Sequence, residues 1–188
     1  IIQFLNSASS EEFFEDITYQ LLDNQPRLSY GISVSDVNND GKFEFIVTGF
    51  GFKNLALGYR KGILFNTVDQ SIFLDKNRRT IGVVSCDVDQ DGYEEIYFLN
   101  TDTYSGEKKY SDRLLDLNDN KFIDLFELKI NQENLNLTAG RSVVCVDRNG
   151  DGAYGIYVAN YGGPTRFYQK EGNEIIDRAS ELGIDKIT

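Results

Sequence analysis

The 188-residue chain contains no histidine, no tryptophan and no methionine, and only two prolines and two cysteines. Without imidazole, histidine-based catalytic triads and histidine metal sites are excluded, and Cys86 and Cys145 lack the partner that would make either a nucleophile. No apolar run approaches the roughly 20 residues that a membrane-spanning helix needs. No basic, apolar, cleavable leader is present, and Ile1 stands first without a Met, which reads as a mature product or an excerpt. Positive charge is scarce too: 19 Lys and Arg against 30 Asp and Glu leave a net charge of −11. Phosphate backbones require a basic face, so nucleic acid is not an expected partner, and neither is membrane insertion. With no Ser/Gly linker, the expectation is a single domain over residues 1–188.

Hydrophobic residues make up 40% of the chain, enough for a sizeable core. Against that background one pattern recurs three times: DVNNDGKFE from Asp36, DVDQDGYEE from Asp87 and DRNGDGAYG from Asp147. Each loop has oxygen donors at positions 1, 3 and 5 and a Gly at position 6. This is the spacing by which a tight loop surrounds a hard cation such as Ca²⁺, the Gly permitting the sharp turn. The candidate ligands of loop one are Asp36, Asn38, Asp40, the Lys42 carbonyl and Glu44; those of loop two are Asp87, Asp89, Asp91, the Tyr93 carbonyl and Glu95. Loop three offers Asp147, Asn149, Asp151 and the Ala153 carbonyl, but Gly155 at position 9 leaves that place to water. Two Ca²⁺ sites are expected, with a third left open. Many carboxylate oxygens on a flexible loop favour Ca²⁺ over the smaller, tightly hydrated Mg²⁺.

The EF-hand shares the opening of this motif but needs a bidentate Glu at position 12 and a helix on either side. Position 12 here is Val47, Phe98 and Val158, and the flanks (YGISVSD, FEFIVTGF, TIGVVSCD, EEIYFLN, RSVVCVD, GIYVAN) are short runs rich in Val, Ile, Tyr and Phe. They predict strand, metal loop, strand. Beyond each loop a Gly/Asn-rich turn leads to two more strands, the last ending in Phe/Ile-Asp. This is seen in SDRLLDLNDNKFIDLFEL (111–128) and YGGPTRFYQKEGNEIIDRASELGI (161–184), with a matching fragment at 3–18. Four short antiparallel strands per repeat predict an all-β chain of β-propeller blades, about three of them and so part of a longer propeller. The expected repeats cover roughly 19–78, 79–128 and 129–188, with 1–18 the end of a preceding blade or a lead-in strand. The C-terminal ELGIDKIT stops where another repeat's first strand is expected.

Three details complete the reading. DLNDNKFID (Asp116 to Asp124) resembles a fourth metal loop but lacks the position-6 Gly, and is expected to be a hairpin turn. Segment 128–140 is the least patterned and is expected to be a surface connection carrying the sequon Asn136-Leu137-Thr138. Cys86 lies one residue before its loop and Cys145 two before, on equivalent strands. Equivalent strands of successive repeats make a bridge conceivable, but the one-residue offset points the two side chains to opposite faces, so a pair of buried thiols stays equally open.

The three loops, the turns at Phe50-Gly51 and Gly162-Gly163-Pro164, and the Phe/Ile-Asp strands resemble FG-GAP/VCBS repeats, the calcium-loop blades found also in integrin α-chain propellers. A narrower likeness, carried by 81–101 and 139–161 with both cysteines, is to secreted, acidic members of that family. The resemblance implies a calcium-binding, extracellular or cell-surface adhesion module with no catalytic activity, whose ligand is an extracellular protein or glycan. Phe50, Phe52, Tyr104 and Tyr161 are candidate contact residues or blade packing. The alternative is a structural or carbohydrate-binding region of a larger secreted or surface enzyme. A glycosidase would need two carboxylates across a sugar cleft, and acid pairs occur here only inside the loops.

Overall fold

The computed structural model describes residues 14–186. Twelve strands form three four-stranded antiparallel sheets, each built from consecutive strands. The first sheet holds β1 (Ile32–Ser35), β2 (Glu44–Val47), β3 (Leu55–Arg60) and β4 (Ile63–Asn66). The second holds β5 (Thr80–Cys86), β6 (Glu95–Asn100), β7 (Arg113–Asn118) and β8 (Lys121–Asp124). The third holds β9 (Gly140–Val146), β10 (Gly155–Asn160), β11 (Arg166–Glu171) and β12 (Glu174–Asp177). Each of the expected repeats thus contains one sheet, and strands flank every acidic loop where an EF-hand would place helices. Of the expected fragment at 3–18 and the lead-in at 1–18, residues 1–13 lie outside the described residues; 14–17 form no strand and Thr18–Gln20 is a 3₁₀ turn.

The sheets stack face to face in chain order, with β1, β5 and β9 adjacent. Strand alternation explains why. One face of the second sheet carries Val83, Ile96, Phe98, Leu115 and Phe122, which join Ile46 and Ala56 of the first sheet in one core cluster. Its other face carries Cys86, Tyr97, Leu99 and Leu114, which join Ile156, Val158 and Tyr168 of the third. Covered on both sides, every residue of β6 is buried. Short inter-sheet connections seal the edges with aromatic plugs. The single-turn helix α1 (Ser71–Leu74) inserts Phe73, its ring centroid 5.2 Å from both Phe98 and Phe122. After the second sheet Phe126 packs at 5.2 Å from Tyr168.

The residue that ends each fourth strand has a repeated role. Asn66, Asp124 and Asp177 accept a hydrogen bond from the backbone N–H of Ala56, Leu114 and Phe167, at 2.9, 3.2 and 3.0 Å. The Phe/Ile-Asp signature is therefore a brace between third and fourth strands, and Asn66 is its counterpart in the first repeat. The 116–124 segment is a hairpin, as expected, with Asp119 and Asn120 at φ 49° and 62° forming a two-residue turn.

Segment 128–140 corrects the expectation. It forms a 3₁₀ stretch over Lys129–Asn134 rather than a loose surface connection, and Asn131, Asn136 and Ala139 are fully buried. The Asn136 amide donates to Asp112 (2.6 Å) and Asn160 (3.0 Å). Asp112 also accepts from the Tyr97 hydroxyl (2.7 Å) and pairs with the buried Lys108 ammonium, which donates to the Asn100 carbonyl (2.7 Å). A buried amide in a charged network is a structural element, inaccessible to glycosylation in the folded chain.

Candidate metal centres

Each acidic loop joins the first two strands of its sheet, so all three lie at the same end of the stack. Gly at position 6 takes φ 82° in Gly41, 93° in Gly92 and 88° in Gly152, the left-handed turn its spacing predicts. Position 4 is left-handed as well, in Asn39, Gln90 and Gly150.

Within loop two, Asp87 accepts the N–H groups of Asp91 (3.2 Å) and Gly92 (3.0 Å), Asp89 that of Asp91 (3.2 Å), and Asp91 that of Tyr93 (2.8 Å). These bonds hold the acidic side chains inward while leaving oxygen lone pairs free. Carboxylate oxygens of Asp87, Asp89 and Glu95 lie within 4.8 Å of one another. Glu95 opens β6 and is 2% exposed; it accepts the Val88 N–H at 2.8 Å. Burial pushes its carboxyl up to about 8, and the charges of Asp89 and Asp116 push the same way.

Loop one repeats the design. Asp36 accepts from Asp40 (2.9 Å) and Gly41 (2.7 Å), and Asn38 from Asp40 (3.0 Å). Asp40 accepts the Lys42 N–H (2.9 Å) and pairs with its ammonium at 3.1 Å. The buried Glu44 accepts the Val37 N–H at 3.1 Å; burial raises its pKa, against that bond, with Asp40 and Asp36 adding to the rise. Loop three keeps the turn but not the closing acid. Asp147 accepts from Gly150 (2.8 Å) and Gly152 (3.1 Å), and Asp151 from Ala153 (2.9 Å) and the Asn149 amide (2.6 Å). A Cβ on Gly155 would meet the Phe167 ring at 2.5 Å, so packing excludes a Glu at position 9.

Two residues that motif spacing does not reveal join loop two. Asp116 lies on β7, where Leu115 pairs with Ile96, bringing it beside Glu95; burial and the charges of Asp89 and Asp91 raise its pKa. Lys170 of β11, in the third sheet, donates to Asp89 at 2.6 Å. Only sheet register places either there. A charge-lined, partly buried site fits a hard divalent cation, which would favour the ionised form of Glu95 that burial disfavours.

Cys86 and Cys145 form a disulfide. The one-residue offset is what permits it. Equivalent positions in successive sheets point the same way around the stack, so only residues of opposite parity face each other across one interface. Of the candidate aromatics, Phe52, Tyr104 and Tyr161 are exposed and Phe50 is half-buried, all at the end of the sheets away from the acidic loops.

Three stacked four-stranded antiparallel sheets, each with an acidic loop between its first two strands, define an all-β protein. The chain is homologous to part of cartilage acidic protein 1: it is 38% identical to the Xenopus tropicalis protein over 95% of this chain and 32% of the relative. To the Homo sapiens protein it is 36% identical over 97% of this chain and 32% of the relative. It therefore spans about a third of the length of these curated relatives. No protein-family model matches the chain.

Proposed function

We propose that the chain is a calcium-binding, extracellular ligand-binding module made of propeller blades, with Ca²⁺ rigidifying the loops between first and second strands and no catalytic role. The observation that carries this reading is Glu95: a buried carboxylate beside Asp87 and Asp89, whose ionised form gains only backbone N–H groups and no matching cation from its own loop. Loop one, with Glu44, is the second site. Each loop filled at tenfold excess over its dissociation constant adds about 1.4 kcal/mol.

Extracellular location is supported by the Cys86–Cys145 disulfide, a bond that persists in oxidising compartments, and by relatives named for cartilage. Further blades are supported by the outward face of the first sheet, where Ile32, Val34, Phe45 and Tyr59 are all exposed, and by Val144 on the third. Another sheet of the same kind would cover them. The test is binding of the purified protein to cultured cell surfaces and to a glycan array, each with calcium and with EGTA. Calcium-dependent capture by cell-surface protein supports the module, and binding confined to glycans favours the carbohydrate-binding alternative. Absence of both contradicts the reading.

A further inference from the structure

At the end of the stack opposite the acidic loops, strand starts and the connections between second and third strands border an open surface pocket of about 550 Å³. Its walls include Tyr30, Phe50, Ile81 and Tyr104, and Arg79 and Arg141 reach into it. Tyr30, Ile81 and Arg141 each stand six residues before the first acid of their loop, so one position of the repeat supplies a wall from every sheet.

The aromatic groups hold the two guanidiniums in place. Arg79 lies over Phe50 at 5.5 Å, and Tyr30 meets the same ring edge-on at 5.5 Å. Arg141 lies 5.0 Å from the Tyr104 ring and 5.4 Å from that of Tyr161, and donates to the carbonyls of Gly140 (2.8 Å) and Tyr104. Four other arginines are paired with carboxylates, Arg78 with Asp75, Arg113 with Asp75 and Asp124, Arg166 with Asp177 and Arg178 with Glu171, whereas Arg27, Arg60 and Arg148 form no ion pair among the described residues and line no part of this pocket. Arg79 and Arg141 have no carboxylate partner among the described residues. Asp102, also in the wall, instead accepts the Lys109 N–H at 3.2 Å.

Stacking covers the guanidinium faces and leaves the N–H edge to match a carboxylate. No side-chain hydrogen bond claims the edge of Arg79 among the described residues, while Arg141 spends two of its five N–H groups on the Gly140 and Tyr104 carbonyls and keeps the rest. Apolar walls of this kind take an aromatic or aliphatic side chain, and an open pocket suits one or two residues of a peptide laid across the surface better than a fully enclosed small molecule. The net charge of −11 repels polyanions at long range, which argues against a heavily sulfated chain. We propose that this pocket binds a peptide segment in which one aromatic or aliphatic side chain sits beside a single carboxylate, clamped by Arg79 and Arg141. The proposal rests on the binding-module reading and names the ligand class of that module.

The test is an NMR titration of the calcium-loaded, ¹⁵N-labelled protein with acetyl-Phe-Asp-amide, acetyl-Phe-Asn-amide and a sulfated heparin disaccharide. The Asp peptide is expected to shift the Arg79 and Arg141 Nε–H signals and the 101–104 amides. The Asn peptide should bind at least fivefold more weakly, and Arg79→Gln and Arg141→Gln should each weaken the Asp peptide fivefold or more at a temperature where their ¹⁵N spectra show the folded chain. Equal binding of the two peptides, shifts confined elsewhere, or tighter binding of the sulfated disaccharide at the same signals would overturn it. If the double arginine variant still binds cells as the wild type does, the pocket assignment falls while the module reading stands. Absent cell binding by the wild type removes the module reading, and the peptide titration then judges the pocket alone.

Discussion

Lys170 of the third sheet donates to Asp89 of the second acidic loop at 2.6 Å, linking two sheets through a proposed calcium ligand. The ammonium stands where it stabilises Asp89 without metal and opposes a divalent ion nearby. Lys170→Gln is therefore expected to lower the melting midpoint in EGTA by a few degrees and to enlarge the gain on adding calcium. Thermal melts with and without millimolar calcium check this. An unchanged calcium gain would place Lys170 outside the site's electrostatics.

Glu95 sets a pH dependence. In the metal-free protein its pKa is raised from 4.5 to about 8, mainly by burial, so between those values the folded chain holds a proton that the unfolded chain has released. Stability then falls as pH rises through that window, by up to a few kcal/mol, and Glu44 acts in the same direction. Melts in EGTA at pH 5.5 and 8 should show this fall, and Glu95→Gln should remove most of it. Calcium, by favouring the ionised carboxylate, should reduce the slope in the wild type. Equal slopes in wild type and variant would count against a protonated Glu95.

The Cys86–Cys145 bridge closes a loop with a sequence separation of 59 residues between adjacent sheets. Chain-entropy arguments give it about 4 kcal/mol. Replacing both cysteines by alanine should lower stability in urea by about 2–4 kcal/mol, with the same fold by circular dichroism. A loss under about 0.5 kcal/mol would mean that sheet packing alone fixes this interface.

Much of this architecture was legible in the residues. The loops at Asp36, Asp87 and Asp147 carried both their own turn geometry and the strands on each side, because donor spacing and Gly are local properties. The hairpin at Asp119-Asn120 was legible for the same reason. What local pattern could not supply was register across sheets. Asp116 reads as a turn residue until β7 pairs with β6, and Lys170 reads as a solvated side chain until the third sheet stacks on the second. The cysteine offset looked like an obstacle because parity was judged within one strand, whereas facing sheets require opposite parity. Segment 128–140 lacks periodicity because two of its fully buried residues, Asn131 and Asn136, are polar and satisfied by hydrogen bonds.

Asn136 supplies a sharp check on that segment. Its amide is committed to Asp112 and Asn160 in the core, so protein secreted from a glycosylating host should carry no glycan there. Intact-mass measurement decides the point. Asn136→Ala should cost about 1–3 kcal/mol by leaving buried acceptors unpaired. A glycosylated, fully folded product would contradict the burial of this side chain.

Calcium is proposed to occupy the turns between first and second strands. The most direct test of this proposal is a diffraction structure of crystals grown with calcium, with anomalous difference density calculated at long wavelength. Peaks are expected between Asp87, Asp89 and Glu95 and between Asp36, Asp40 and Glu44, with a weaker peak or none in the Asp147 loop, where Phe167 excludes the closing acid. A map with no peak at either of the first two loops would contradict it.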